Sequence, residues 1–170
     1  MLDPVAAGAL GWRTALAQQL LGDARPTIIR GNASEILALA GGTGGPGVES
    51  VDSPEAAAQV ARLLADHQQS VIAVSGPTDH ITDGTRMIRL SNGHPWLTRV
   101  TGVGCALGAL MAAFAAVVPD AVVAAATATL TVAADSAADQ GRGPGSFAVA
   151  LLDKLALIEP ADLAERVRIS

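Results

Sequence analysis

The sequence predicts an α/β fold, and three observations carry that expectation. Short β-branched or apolar runs alternate with longer helix-forming stretches, Gly and Pro punctuate the boundaries, and half of the 170 residues are hydrophobic while only 16% are charged. Such a composition buries one core of ordinary size and excludes disorder as the bulk state. Two Trp, two Phe and no Tyr against 18 Gly mean a core of small aliphatic groups. They also argue against a base-stacking platform for single strands. A net charge of -5 offers no basic footprint for nucleic acid or anionic membrane, so small-molecule chemistry is the better expectation. Cys105 is the sole cysteine, which allows no internal disulfide and fits a reducing, cytoplasmic compartment.

Taken in order, Thr27-Ile28-Ile29-Arg30 is a short strand that ends at Gly31, and Asn32 caps a helix over residues 33–40. The stretch 41–47 is a glycine-rich loop. Ser53 then supplies a cap and Pro54 a first helical residue, for a helix running to about His67. Val71-Ile72-Ala73-Val74-Ser75 is continuously apolar up to its Ser, as a buried parallel strand is, and it stops at Gly76-Pro77. Ligands sit at such carboxyl ends. Between Asp79 and Val100 the pattern predicts hairpins, with one turn at Thr82-Asp83-Gly84 and another at Ser91-Asn92-Gly93-His94 joining residues 86–90 to 96–100. Three helices follow, at about 104–118, 120–139 and 146–157. The small side chains of the first two predict close packing or a buried subunit interface.

No secretory pattern opens at Met1-Leu2-Asp3-Pro4. The uncharged stretch 100–119 is rich in Ala rather than Leu or Ile, so no membrane span is expected there. His67, His80 and His94 have no spacing that builds a metal site and are expected to be structural or exposed. Trp12 and Trp96 are expected to be core or interface anchors.

Thr101-Gly102-Val103-Gly104-Cys105 lies between a predicted strand and an apolar helix, where free backbone N–H groups face whatever occupies the turn. Spacing alone leaves two readings open: an anion site, or a tight turn followed by a small core cysteine.

Together with Asp3-Pro4-Val5, Arg30-Gly31-Asn32-Ala33-Ser34-Glu35-Ile36, Val74-Ser75-Gly76-Pro77-Thr78-Asp79, Asp83-Gly84, Asn92-Gly93-His94-Pro95 and Gly143-Pro144-Gly145-Ser146-Phe147, that segment resembles the hydroxyethylthiazole kinase family, from Asp3 to about Leu157. The resemblance implies a ribokinase-like, mostly parallel sheet flanked by helices, forming one partial domain over residues 1–170. It implies transfer of the ATP γ-phosphate to the hydroxyl of 4-methyl-5-(2-hydroxyethyl)thiazole, with Mg²⁺, in a cytoplasmic trimer. By the same resemblance Arg30, Asn32 and Ser75 bind ATP, and Asp3 and Glu35 lie near the metal. Gly102, Val103 and Gly104 form an anion hole, Gly102 also touches substrate, and Cys105 lies beside the attacking hydroxyl as base or positioning group. Ala6 stands where the family has Gly, and Val103 where it has a smaller residue, so weaker anion binding is expected at that turn. The chain opens where the family's Asp-Pro-Val-Gly is mid-protein, so roughly the N-terminal third, with groups that cradle the thiazole, is expected to be missing. On that expectation, the chain is either this kinase or a non-catalytic remnant that binds nucleotide or a partner chain.

Overall fold

Val71–Ser75 forms a strand because β-branched side chains suit a pleated, buried surface, and the same holds for Ile28–Asn32. The computed structural model describes residues 1–41, 54–117 and 122–170. Contacts divide the chain into two compact units, Met1–Arg89 and Leu90–Ser170.

In the first unit the order is α1 (Gly11–Ala24), β1 (Ile28–Asn32), α2 (Ala33–Gly41), α3 (Pro54–Gln68), β2 (Val71–Ser75), β3 (Asp79–Thr82) and β4 (Met87–Leu90), the last residue of which is counted with the second unit. The strands lie in the order β1-β2-β3-β4. β1 and β2 run parallel, with Ile29 opposite Ile72 and Asn32 opposite Ser75. Leu2 adds a parallel bridge to Ile29 on the other side of β1. β3 is antiparallel to β2, with Val74 opposite His80, so the sheet is mixed. One core joins Ile29, Ile72 and Val74 of the sheet to Ala17 and Leu21 of α1, Ile36 and Leu39 of α2, and Ala61, Leu64 and Ala65 of α3. The expected cap at Ser53 and most of the glycine-rich loop lie outside the described residues.

The second unit holds a 3₁₀ helix (Pro95–Arg99), α4 (Val103–Ala115), α5 (Val122–Ala138), α6 (Pro144–Leu157) and α7 (Pro160–Arg166). Small residues let the helices meet closely: Ala133, Ala134 and Ala137 of α5 pack on Phe147 and Leu151 of α6. Trp96 joins this cluster edge-on to Phe147, ring centroids 5.7 Å apart. Gly141 is required there by space, because a Cβ would stand 2.7 Å from Trp96 Cζ3. Trp12, by contrast, is 64% exposed on α1, with the Arg13 guanidinium 5.2 Å from its ring centroid, so it is no core anchor.

The hairpin expected around Asn92-Gly93 is not formed, although its first arm, β4, is. Residues 95–99 wind into the 3₁₀ helix, begun by Pro95 and capped by His94, whose Nδ1 accepts from Trp96 N at 3.2 Å. Asn92 and Gly93 instead turn their donors to Asp135 of α5: Asn92 Nδ2 reaches Oδ2 at 2.8 Å, and Gly93 N reaches Oδ1 at 3.0 Å. A tertiary acceptor has outbid the local turn. Among the described residues no helix is long and apolar enough to cross a membrane.

Candidate active site

Alternation along a strand decides which residues meet at the carboxyl ends of β1 and β2. Arg30 and Asn32 share one face, and the pairing of Asn32 with Ser75 puts Ser75 on it too. Arg30 bridges the strands there: its Nε donates to Ser75 Oγ at 3.2 Å and its Nη1 to Asp3 Oδ2 at 3.2 Å. Both partners of the Arg30–Asp3 pair are largely covered, at 16% and 21% side-chain exposure, so the pair is shielded from solvent screening. Burial pushes the Asp3 carboxyl above the ordinary range, against the charge and hydrogen bond of Arg30, and the nearby Glu35 charge adds to the rise.

Asn32 and Glu35 close the start of α2 reciprocally. Asn32 Oδ1 accepts from Glu35 N at 2.9 Å and from Ser34 Oγ at 2.7 Å, while Glu35 Oε2 accepts from Asn32 N at 2.9 Å. The oxygen of Asn32 is thus committed to the helix, and its Nδ2 donors are what it can offer a ligand. The other oxygen of Glu35, Oε1, accepts from Ala6 N at 3.0 Å and ties the Asp3–Ala6 segment to α2. Ala6 sits at φ +63, in the left-handed region where a Cβ is strained. Replacing Ala6 with Gly is therefore expected to stabilise the chain by about 0.5–1 kcal/mol, read as a Tm rise of about 2–4 °C in thermal denaturation.

Of the residues that the sequence pointed to, Asp3, Arg30, Asn32, Glu35 and Ser75 gather in the first unit, linked by these bonds. The Glu35 charge acts on Asp3, a repulsion that a divalent cation would relieve; both Glu35 oxygens already accept from backbone N–H groups, so Glu35 would meet such an ion through its remaining lone pairs or through water. Mg²⁺ takes one or two carboxylates and completes its shell with water and phosphate oxygens, which fits a pair of this kind. Among the described residues no group of three or more His, Cys, Asp and Glu is placed to cage a metal.

The sequence pattern passed over Asp79, which is only 8% exposed and accepts from Gly76 N with Oδ1 at 3.0 Å. Its signal was a Gly-Pro-Thr-Asp turn in which the acid folds back onto the backbone. Burial pushes its carboxyl up to about 6, against the Gly76 hydrogen bond and the Arg30 charge. An acid whose pKa is higher folded than unfolded costs stability once it ionises. Its cost is absent below pH 3.8, grows through about 6 and is constant above. Replacing Asp79 with Asn is expected to gain up to about 3 kcal/mol at neutral pH, with the gain over wild type vanishing towards pH 4, as read by urea denaturation across that range.

The second unit carries the glycine turn. Gly102 caps α4 at φ +90, an angle that suits only glycine, and Ala106 N closes the first helical bond on Gly102 O at 2.9 Å. The N–H groups of Val103, Gly104 and Cys105 belong to the first turn, which has no intrahelical acceptors. Val103 is the first residue of α4 and does not carry the left-handed angle. That removes the backbone reason at Val103 for expecting weaker anion binding, while the reason at Ala6, whose φ is positive, stands. Cys105 is exposed at this helix start and is not a core residue.

The family model for the hydroxyethylthiazole kinase family matches residues 1–160. Hydroxyethylthiazole kinase of Clavibacter sepedonicus is 57% identical over 173 residues, covering 100% of this chain and 62% of that protein. The Granulibacter bethesdensis enzyme of the same name is 52% identical over 171 residues, covering 99% of this chain and 62% of its own length. The solved structure of hydroxyethylthiazole kinase from Pyrococcus horikoshii superposes with a TM-score of 0.90 at 35% identity, over 99% of this chain and 63% of that one. The chain therefore spans a little over three fifths of the length of these relatives. That structural likeness supports the α/β, ribokinase-like architecture. With its Arg-Gly-Asn-Ala-Ser-Glu and Thr-Gly-Val-Gly-Cys segments at the strand end and helix start just described, the chain belongs to the hydroxyethylthiazole kinase family.

Proposed function

We propose that the chain takes part in ATP-dependent phosphorylation of 4-methyl-5-(2-hydroxyethyl)thiazole, a step of thiamine biosynthesis and salvage. The observation that carries this reading is the arginine bridge: Arg30 holds Ser75 and Asp3 together at the carboxyl ends of adjacent parallel strands. The relatives named hydroxyethylthiazole kinase supply the substrate class.

Phosphoryl transfer needs positioning and charge neutralisation more than covalent work by the protein. The acceptor oxygen forms a bond to the γ-phosphorus, the bond from that phosphorus to the bridging oxygen breaks, and ADP leaves as the alcohol gives up its proton. Arg30, with Ser75 and the Nδ2 of Asn32, binds the nucleotide. Asp3 and Glu35 would hold Mg²⁺, which when bound would neutralise phosphate charge. The N–H groups of Val103 and Gly104, beginning at the Gly102 turn, receive the negative charge of the transferred group in a preorganised way.

Cys105 stands beside the acceptor hydroxyl in this account. Because its side chain is exposed, Cys105→Ala is expected to leave Tm nearly unchanged while lowering kcat. A loss in the range of about 10²–10⁴ identifies Cys105 as the group that takes the proton, and a smaller loss, tenfold or less, identifies it as a positioning group. Equal loss of fold and rate would return Cys105 to a packing role.

A trimeric assembly and a cytoplasmic location belong to the same proposal. Self-association is supported by an apolar stripe on α1, where Trp12, Leu16 and Leu20 are exposed at helical spacing; light scattering at several concentrations tests the assembly. A second reading, nucleotide or partner binding without turnover, draws on the arginine bridge alone, which is complete within the first unit. A coupled ADP-release assay on the purified chain separates the two: release faster with the thiazole alcohol than without it supports the kinase, and equal rates refute it.

A further inference from the structure

The register of the sheet draws attention to Asp79. β1 pairs with β2 so that Asn32 faces Ser75, and β2 pairs with β3 so that Val74 faces His80. One step further along the same antiparallel ladder sets Asp79 across from Ser75. Directly opposed residues point to one face, so Asn32, Ser75 and Asp79 form a row across three adjacent strands, with Arg30 on the same face of β1.

Two further observations make this more than proximity. Asp79 is buried, yet its carboxylate spends a hydrogen bond on Gly76 N, the first amide after Ser75, and so closes the turn that follows the nucleotide-site strand. Its charge also acts on Arg30, whose guanidinium is the bridge between Ser75 and Asp3. A buried acid that costs stability when ionised needs some return. Here it fixes the backbone next to Ser75, the partner of the Arg30 Nε.

We propose that Asp79 is a positioning residue of the nucleotide site: it closes the Gly76–Thr78 turn and, from the face it shares with Ser75, holds the Arg30–Ser75 pair in place for the phosphates. The inference rests on the kinase reading and names a residue for which that reading has no role. Asp79 acts through Arg30 and Ser75 and does not itself touch the nucleotide.

The test is isothermal titration of Mg-ADP into the wild-type chain and into Asp79→Ala, Asp79→Ser and Asp79→Asn, each with a melting curve. Ala removes the acceptor. Ser, one atom too short to reach Gly76 N, serves the same purpose if the Ala variant does not fold. Asn keeps an oxygen in place and is the rescue. The expected result is a Kd about tenfold weaker for Ala or Ser in a cooperatively folding chain, and a Kd within about threefold of wild type for Asn. Ala or Ser variants that bind Mg-ADP as tightly as wild type overturn the proposal, as does a tenfold loss in Asn. A lower melting temperature with unchanged Kd also overturns it, since that is what a purely structural acid would show. If the wild-type chain binds no nucleotide, the kinase reading falls and this inference with it; a normal wild-type titration with insensitive variants removes the inference alone.

Discussion

Replacing Arg30 with Met is expected to lower kcat/KM for the thiazole alcohol and ATP by about 10²-fold, the scale of losing one preorganised donor to developing phosphate charge. The physical reason is the geometry of its fork. Nε is fixed on Ser75 Oγ and Nη1 on Asp3 Oδ2, so the guanidinium is held in one orientation with donors to spare. Met keeps most of the side-chain volume and removes only the charge and the donors. Asp3 then loses the cation that pulls its carboxyl down, and its own charged form becomes harder to keep. Lys at this position is expected to recover only part of the loss, because a point charge cannot reach both partners as the planar fork does. A drop smaller than about threefold in Arg30→Met, measured by steady-state ADP release, would contradict the assignment.

The largest stability effect is expected in the other unit, from Asp135→Ala. The Asp135 carboxylate accepts from Asn92 Nδ2, from Gly93 N and from Arg168 Nη2, the last at 3.1 Å. Asn92 is only 5% exposed, and its own oxygen accepts from Arg168 N, which draws the C-terminal segment to the 91–93 turn beside the Leu90–Ile169 bridge. Removing the acid strips Gly93 N of its acceptor and Asn92 Nδ2 of one of its two, Arg166 O at 3.0 Å being the other, while the exposed Arg168 keeps Ser91 O; at about 1–3 kcal/mol for each donor bond lost under cover, a total loss of about 2–4 kcal/mol is expected. Thermal denaturation checks it, with a Tm lowered by roughly 5–15 °C. Asp135→Asn, which keeps an oxygen for Gly93, is expected to lose about half as much.

These two residues mark what could and could not be read in the sequence. β2 was legible residue for residue and β1 nearly so, since an apolar run ending in Gly is a strong local signal. The cap formed by Asn32 and Glu35 was legible because it is closed within three residues. Arg30, Asp3 and Ser75 could be named, but their bridge could not, because it depends on which strands become neighbours. Asn92-Gly93 misled for the same reason: its donors are claimed by a residue 42 or 43 positions away. Helix α1 has no side-chain cap at Leu10, whereas α7 opens on Pro160 with a Glu159–Asp162 capping box, a local signal that was passed over; the left-handed angle at Ala6 had its sign in the family's Gly, and the bond from Ala6 N to Glu35 that accompanies it depends on the fold. Asp79 was visible only as part of a turn; its burial is a product of the sheet.

The central claim is that this constellation handles the γ-phosphate of a nucleotide and delivers it to an alcohol. Incubating the purified chain with γ-labelled ATP, Mg²⁺ and 4-methyl-5-(2-hydroxyethyl)thiazole, then separating the products, tests that claim most directly. The expected product is a labelled phosphate ester of the thiazole alcohol that forms with the wild-type chain and falls to about a hundredth with Arg30→Met. Label found only as inorganic phosphate, or an ester formed equally well without Arg30, would contradict it.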